Sequence, residues 1–255
     1  MTLGLPLSTM YAFLLVLSRV AGLITFLPVP GFRNAPDVMR AGFALAVTFA
    51  LFPVWPSLPN ALPSIGQLTA WIIAEAGFGL AMGLAVVFLT EALQLATQVL
   101  GLQAGYGYAS TIDPTSQADA GVLQVITMLI SSLLFLTLGL DAQVFRVLAA
   151  SLEHFPAGSW APTASSLDGI VRLGGAMFSL GLRIAMPVVA LLVLLDISLA
   201  VLGRMQQQLQ LLSLAFPLKM LAALLLLASL APAFSRIFED SSRRTLAVLW
   251  RSFAN

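Results

Sequence analysis

Cysteine is missing altogether from this 255-residue sequence, and charge is scarce: Asp, Glu, Lys and Arg together make up 9% of it. The first absence excludes disulfides, thiolate zinc sites and iron–sulfur clusters. The second excludes an ordinary water-soluble domain, where roughly 25% of residues are charged. The sequence holds one histidine, His154, and no His-rich or acidic cluster accompanies it, as a metal or catalytic role would require. There is no phosphate-cradling Gly–Lys–Ser/Thr loop, no dinucleotide fingerprint and no nucleophile elbow. No catalytic, cofactor-binding or metal site is therefore expected. A net charge of +1 exerts no bulk pull on nucleic acid. The N-terminus lacks a basic region, and Arg19 interrupts its apolar stretch. It reads as a retained first helix rather than a cleaved signal.

What the sequence has in abundance is apolar surface: 59% of residues, with a mean hydropathy of +0.98. A core of this size cannot hide so much from water, so the chain is expected to be membrane-associated. Apolar runs punctuated by proline, glycine and polar clusters predict an all-α fold of helical hairpins. About six segments result, at roughly 8–28, 37–53, 65–101, 120–151, 167–208 and 211–235. A basic tail follows at 236–255. About 20 residues suffice to cross a ~30 Å hydrocarbon core. The third and fifth segments would reach on the order of 50 Å, so they must be bent, broken into hairpins or project beyond the bilayer. Gly77, Gly79 and Gly83 are candidate bend points in the third, and Gly174, Gly175, Gly181 and Pro187 in the fifth. The chain is treated as one domain: a first helical group at 1–104, a polar loop at 105–121, a second helical group at 122–235 and the tail.

Nine charges fall in or near the apolar segments: Arg19, Glu75, Glu91, Asp141, Arg146, Arg183, Asp196, Arg204 and Lys219. Charge at membrane depth is costly and finds partners or water. Helical neighbours lie three or four residues apart. Asp141 and Arg146 are five apart, Asp196 and Arg204 eight, and Glu75 and Glu91 sixteen, so none has a good same-helix partner. Their partners must come from other helices, other subunits or an aqueous lumen. The tail arginines Arg236, Arg243, Arg244 and Arg251 favour a cytoplasmic C-terminus, but six spans would then put Arg33 and Arg40 outside. Gly79 with Gly83, and Gly101 with Gly105, form small-xxx-small pairs that permit close helix approach. The glutamines Gln206, Gln207, Gln208 and Gln210 end an apolar run and suggest a hairpin tip or a subunit interface.

One stretch departs from all this. GYGYASTIDPTSQADAGV, residues 105–122, holds three glycines, two tyrosines, two serines, two threonines, two aspartates and a proline. Such backbone cannot lie bare in lipid and is tolerated only where buried in protein or lining water.

The landmarks in order resemble the flagellar biosynthetic protein FliR family. LSRVAGLITFLPVPGFRNAPDVMRAGFALAVTFALFP carries Arg19, Pro28, Pro36, Arg40 and Pro53. The next segment carries Glu75, Gly79, Gly83, Gly101, Gly105 and the Asp113–Pro114 pair. GRMQQQLQLLSLAFPLKM carries Arg204, Pro217, Leu218 and Lys219. The resemblance covers nearly the whole chain. It implies a non-catalytic subunit of a type III protein export gate in the bacterial inner membrane, at the flagellar basal body. The equivalent subunit of a virulence injectisome is the near alternative, and a stand-alone transporter or channel the more distant one. The implied partners are FliP and FliQ family subunits in a helical hetero-oligomer, FlhB and FlhA family proteins, membrane lipid, and unfolded flagellar substrates, with no nucleic acid. The loop becomes a plug facing the channel lumen. Gly105 and Gly107 would loosen its backbone, Tyr106 and Tyr108 fill the pore, Ser110 lie within it, and Asp113–Pro114 fix a turn. Arg19, Glu75, Glu91, Arg183, Asp196, Arg204 and Lys219 become buried or interface charges, and Gly79, Gly83 and Gly101 helix-packing positions.

Overall fold

The computed structural model describes residues 6–29, 35–57, 63–106, 122–205 and 211–254. Among these, all regular structure is helical: α1 (Leu7–Thr25), α2 (Asp37–Ala50), a 3₁₀ turn (Phe52–Val54), α3 (Ile65–Ala104), α4 (Val122–Thr137), α5 (Leu140–His154), α6 (Ala164–Met205) and α7 (Leu211–Ala254). Four of the helix starts have a local cause. Pro6 and Pro36 stand immediately before α1 and α2, where a missing N–H has no partner to lose. α3 opens with a capping box: Gln67 N–H donates to Ser64 Oγ at 3.3 Å, and Ser64 N–H donates to Gln67 Oε1 at 3.1 Å. Thr163 and Ser166 exchange side-chain-to-backbone bonds in the same way ahead of α6. Hydroxyls inside apolar helices turn back to the carbonyl four residues earlier, as Ser18 does to Leu14 and Thr48 to Ala44, so they need no water.

Four of the six expected segments differ from the sequence expectation or narrow it. The segment expected as one helix at 120–151 is two, because Gly139 takes a φ of +63° that only glycine adopts without strain. It ends α4, and α5 leaves at 61°. α6 runs its 42 residues without interruption despite Pro187, and α3 its 40 despite its glycines. α7 does not stop near residue 235 but runs 44 residues to Ala254. No glycine or proline follows Arg236 to stop it. The charged tail is thus helical, with Phe238 and Ser242 buried and Arg236, Glu239, Asp240, Arg243 and Arg244 exposed.

The chain forms two compact units. One comprises Met1–Phe88, Phe135–Gly174 and Ser242–Asn255, the other Leu89–Leu134 and Gly175–Ser241. In the first, α1 buries a stripe of Leu15, Val16, Arg19, Val20 and Leu23 at helical spacing. It crosses α3 backbone to backbone. A Cβ on Gly22 would lie 2.5 Å from the Ala76 carbonyl, one on Gly83 2.8 Å from the Leu23 carbonyl, and one on Gly79 would run into the Arg19 carbonyl. Of the α3 glycines expected as bends, Gly79 and Gly83 form the floor of this crossing, and Gly77 does not. Gly101 has no such role: a Cβ there meets nothing within 4 Å. In the second unit, Gly181 of α6 sits against the Ala92 carbonyl of α3, 2.8 Å from where its Cβ would be. The Thr97 and Thr127 hydroxyls join α3 to α4 at 2.8 Å.

Among the described residues, α1, α3 and α6 are long and apolar enough to cross a membrane, and the bent pair from Leu123 to His154 would add a fourth span. The chain covers 50% of the most apolar stretch of α3 but only 22% of that of α6. Gly79→Ala should destabilise the protein by about 1–3 kcal/mol through overpacking. Gly77→Ala, where a Cβ meets nothing within 4 Å, should be neutral or mildly stabilising. Thermal unfolding of the two variants in detergent checks the contrast, and equal shifts would refute a backbone-contact crossing.

Candidate functional site

The polar chemistry of the first unit converges on Arg19. It lies on the buried stripe of α1 and is wholly inaccessible, as is Glu75 on α3. Their heads meet: Arg19 Nε donates to Glu75 Oε2 at 2.5 Å. Arg19 Nη1 donates to the Ser151 carbonyl and hydroxyl, both at 3.1 Å, and Nη2 donates to the Phe155 carbonyl at 3.0 Å. Those acceptors lie at the C-terminal end of α5, where the Ser151 carbonyl also accepts the Phe155 N–H at 2.9 Å and a cation is favoured. The other Glu75 oxygen accepts the Gly158 N–H at 2.9 Å. A turn closed by Ser159 N–H on the Pro156 carbonyl presents that N–H, with Gly158 at φ +89°. The Phe78 ring lies 4.4 Å from the Arg19 guanidinium carbon and is boxed by Phe155 and Trp160.

This one ion pair therefore joins α1, α3, α5 and the turn after it. Two ions taken out of water lose several kcal/mol each, which their attraction offsets only if their remaining hydrogen bonds are also made. Here they are made: among the described residues no buried side-chain nitrogen or oxygen lacks a partner.

The second unit has a smaller cluster. Lys219 Nζ of α7 lies 2.8 Å from Asp196 Oδ1 of α6, and Gln103 Nε2 at the end of α3 donates to Asp196 Oδ2 at 3.1 Å. The Tyr106 hydroxyl, just beyond α3, donates to the Met220 carbonyl at 3.2 Å. Burial pushes the Tyr106 phenol above its ordinary value, so it remains a neutral donor at physiological pH. Gly105, at φ +84°, turns the chain out of the helix.

The other expected site residues stand apart from these clusters. Glu91 is half-buried with Gln94 Nε2 at 3.5 Å. Arg183 and Arg204 are exposed on α6. Gly107, Tyr108, Ser110, Asp113 and Pro114 lie outside the described residues, as do the glutamines at 206–208 and 210. Sequence reasoning missed Ser151, Gly158, Phe78 and Gln103. Phe78 alone had a signal, three residues from Glu75 on the same helix face. Among the described residues no three His, Cys, Asp or Glu side chains converge on a metal-binding arrangement.

Removing one member of the buried pair should be worse than removing both. Glu75→Leu strands a buried guanidinium and should cost about 3–5 kcal/mol, whereas Arg19→Met with Glu75→Leu should recover part of that loss. Folded protein accumulating in membranes and its melting in detergent report the difference. A double variant that loses the sum of the two single effects would show the pair is uncoupled.

Residues 10–245 match the family described as bacterial export proteins, family 1. The flagellar biosynthetic protein FliR of Escherichia coli is 30% identical over 224 residues, covering 88% of this chain and 85% of that protein. The proteins of the same name from Bacillus subtilis and Caulobacter vibrioides are 26% and 23% identical. They cover 85% and 93% of this chain and 84% and 95% of their own lengths. The chain belongs to the bacterial export proteins, family 1, the family of flagellar biosynthetic protein FliR.

Proposed function

We propose that the chain is a non-catalytic subunit of the flagellar type III protein export gate, forming part of the closed channel that passes unfolded flagellar proteins across the inner membrane at the basal body. Family membership makes it a component of the flagellar export apparatus. The finer reading rests on one observation: the helices do not cover each other. Phe178, Leu182, Met186, Leu194 and Ile197 of α6 are each 44–58% exposed, and Leu225 of α7 is 70% exposed. Contiguous apolar surface on this scale marks contact with lipid or other proteins. FliP and FliQ family subunits are the proposed neighbours, with FlhB and FlhA family proteins beside them. The polar groups inside the chain are already engaged in holding helices together, which supports a scaffold rather than a reaction centre.

The segment 105–121 is proposed as the plug. Support comes from its root, where Gly105 turns out of α3 and Tyr106 is tied to the Met220 carbonyl. Replacing 105–121 with a Gly/Ser linker of equal length should leave the partner subunits co-purifying but make the inner membrane leak small ions. An assembled complex that stays tight and still exports would reduce the segment to a connector. Failure of the unaltered chain to co-purify with any export-apparatus subunit would refute the gate reading itself.

A further inference from the structure

Arg183 stands near the middle of α6, within an otherwise uncharged run from residue 173 to 195. It is exposed, and no described residue forms an ion pair or hydrogen bond with it. Around it the surface is apolar, with Leu182 44% and Met186 56% exposed. A second orphan lies at the same place. Pro187 has no N–H to give, so the carbonyl of Arg183, four residues earlier, loses its helical donor. Both residues are exposed on one face, separated by one turn. Mid-helix, then, an apolar surface presents a cationic donor that no described residue answers beside a carbonyl that lacks its ordinary helical donor. Neither is tolerable against hydrocarbon.

The two needs together select the occupant. A lipid headgroup could answer the guanidinium by snorkelling, but the backbone carbonyl cannot follow it, because ten or more uncharged residues separate that carbonyl from either end of the apolar run, a rise of about 15 Å. Water could answer both, but an aqueous wall would not be lined by leucine and methionine. A protein helix can supply a carboxylate and, one turn away, a hydroxyl or amide donor. It also has room: Gly175 and Ser179, eight and four residues before Arg183 on the same face, are exposed, and a Cβ on Gly175 would meet nothing within 4 Å. Small residues there let a partner backbone come close.

We propose that the Arg183–Pro187 face of α6 is a docking site for an apolar helix of a partner subunit, which bears an Asp or Glu that pairs with Arg183 and a neighbouring donor that caps the Arg183 carbonyl. This rests on the chain working as a subunit of an assembly. The test uses the full-length chain, affinity-tagged and produced with the export-apparatus subunits. A photo-crosslinking amino acid replaces Ser179, and the adduct is mapped by mass spectrometry. The expected adduct is a partner peptide within an apolar helix, with Asp or Glu within one turn of the crosslink. Arg183→Glu should lower co-purification of that partner on the order of tenfold, Arg183→Lys should retain most of it, and changing the mapped carboxylate to Arg should rescue Arg183→Glu. No described residue forms an ion pair or hydrogen bond with Arg183, so melting of Arg183→Glu alone in detergent should be unchanged. An adduct on lipid, or none, while partners still co-purify overturns the docking site and leaves the gate reading standing. So does Arg183→Glu without effect on co-purification. Unaltered chain that retrieves no partner overturns both.

Discussion

A guanidinium with no access to water constrains everything near it. Arg19 must find acceptors for its N–H groups inside a chain that is mostly Leu, Ala, Val and Phe. It finds one carboxylate, one hydroxyl and two backbone carbonyls. That requirement fixes the register of α1 against α3, because Glu75 is reached only where Gly22, Gly79 and Gly83 let the two backbones touch. It also fixes where α5 ends, since that helix must present its last carbonyls to the same cation. The Pro156–Ser159 turn follows, placing the Gly158 N–H on the second Glu75 oxygen. An alternative packing of these helices would bury a charge without partners, a penalty of several kcal/mol. The pair adds little net stability as such and instead discriminates against wrong arrangements.

The contrast between the inside and the outside of the chain carries the functional argument. Inside, buried side-chain polar groups are satisfied and the small residues are occupied by neighbouring backbone. Outside, large apolar side chains share the surface of one long helix with an arginine that no described residue pairs. A self-sufficient membrane protein would turn its arginines inward, to a partner or to water. The proposed docking of another chain against this face would answer that outward arginine.

The helices and their apolar character were legible because periodicity and proline–glycine punctuation are local signals. Arg19, Glu75, Asp196 and Lys219 could be singled out because charge is rare here, but not paired, since a pairing across 56 residues depends on how helices cross. Gly79 and Gly83 were visible as small residues, yet their use as a crossing rather than a bend depends on what lies opposite. Gly139 was invisible for a different reason. A lone glycine in an apolar run is tolerated within a helix as often as it ends one, and only its left-handed backbone marks the break. The extended α7 shows the reverse error: charge after residue 235 looked like the end of structure, although helices continue through charged sequence unless something stops them.

The two clusters differ in a way that bears on what each can do. The Arg19–Glu75 heads are wholly buried, so water and salt cannot compete for them. The Lys219 and Asp196 side chains are 12% and 40% exposed, and a pair of that kind is screened and contributes little. Its partner Gln103 stands three residues before Tyr106, at the point where α3 gives way to the glycine-rich segment. The chain thus fixes its helical frame with a contact that cannot be exchanged for water and ties the root of its polar loop with contacts that can. The proposed gate has use for both, because its helical frame must survive the passage of substrate while the segment rooted at Tyr106 must yield to it.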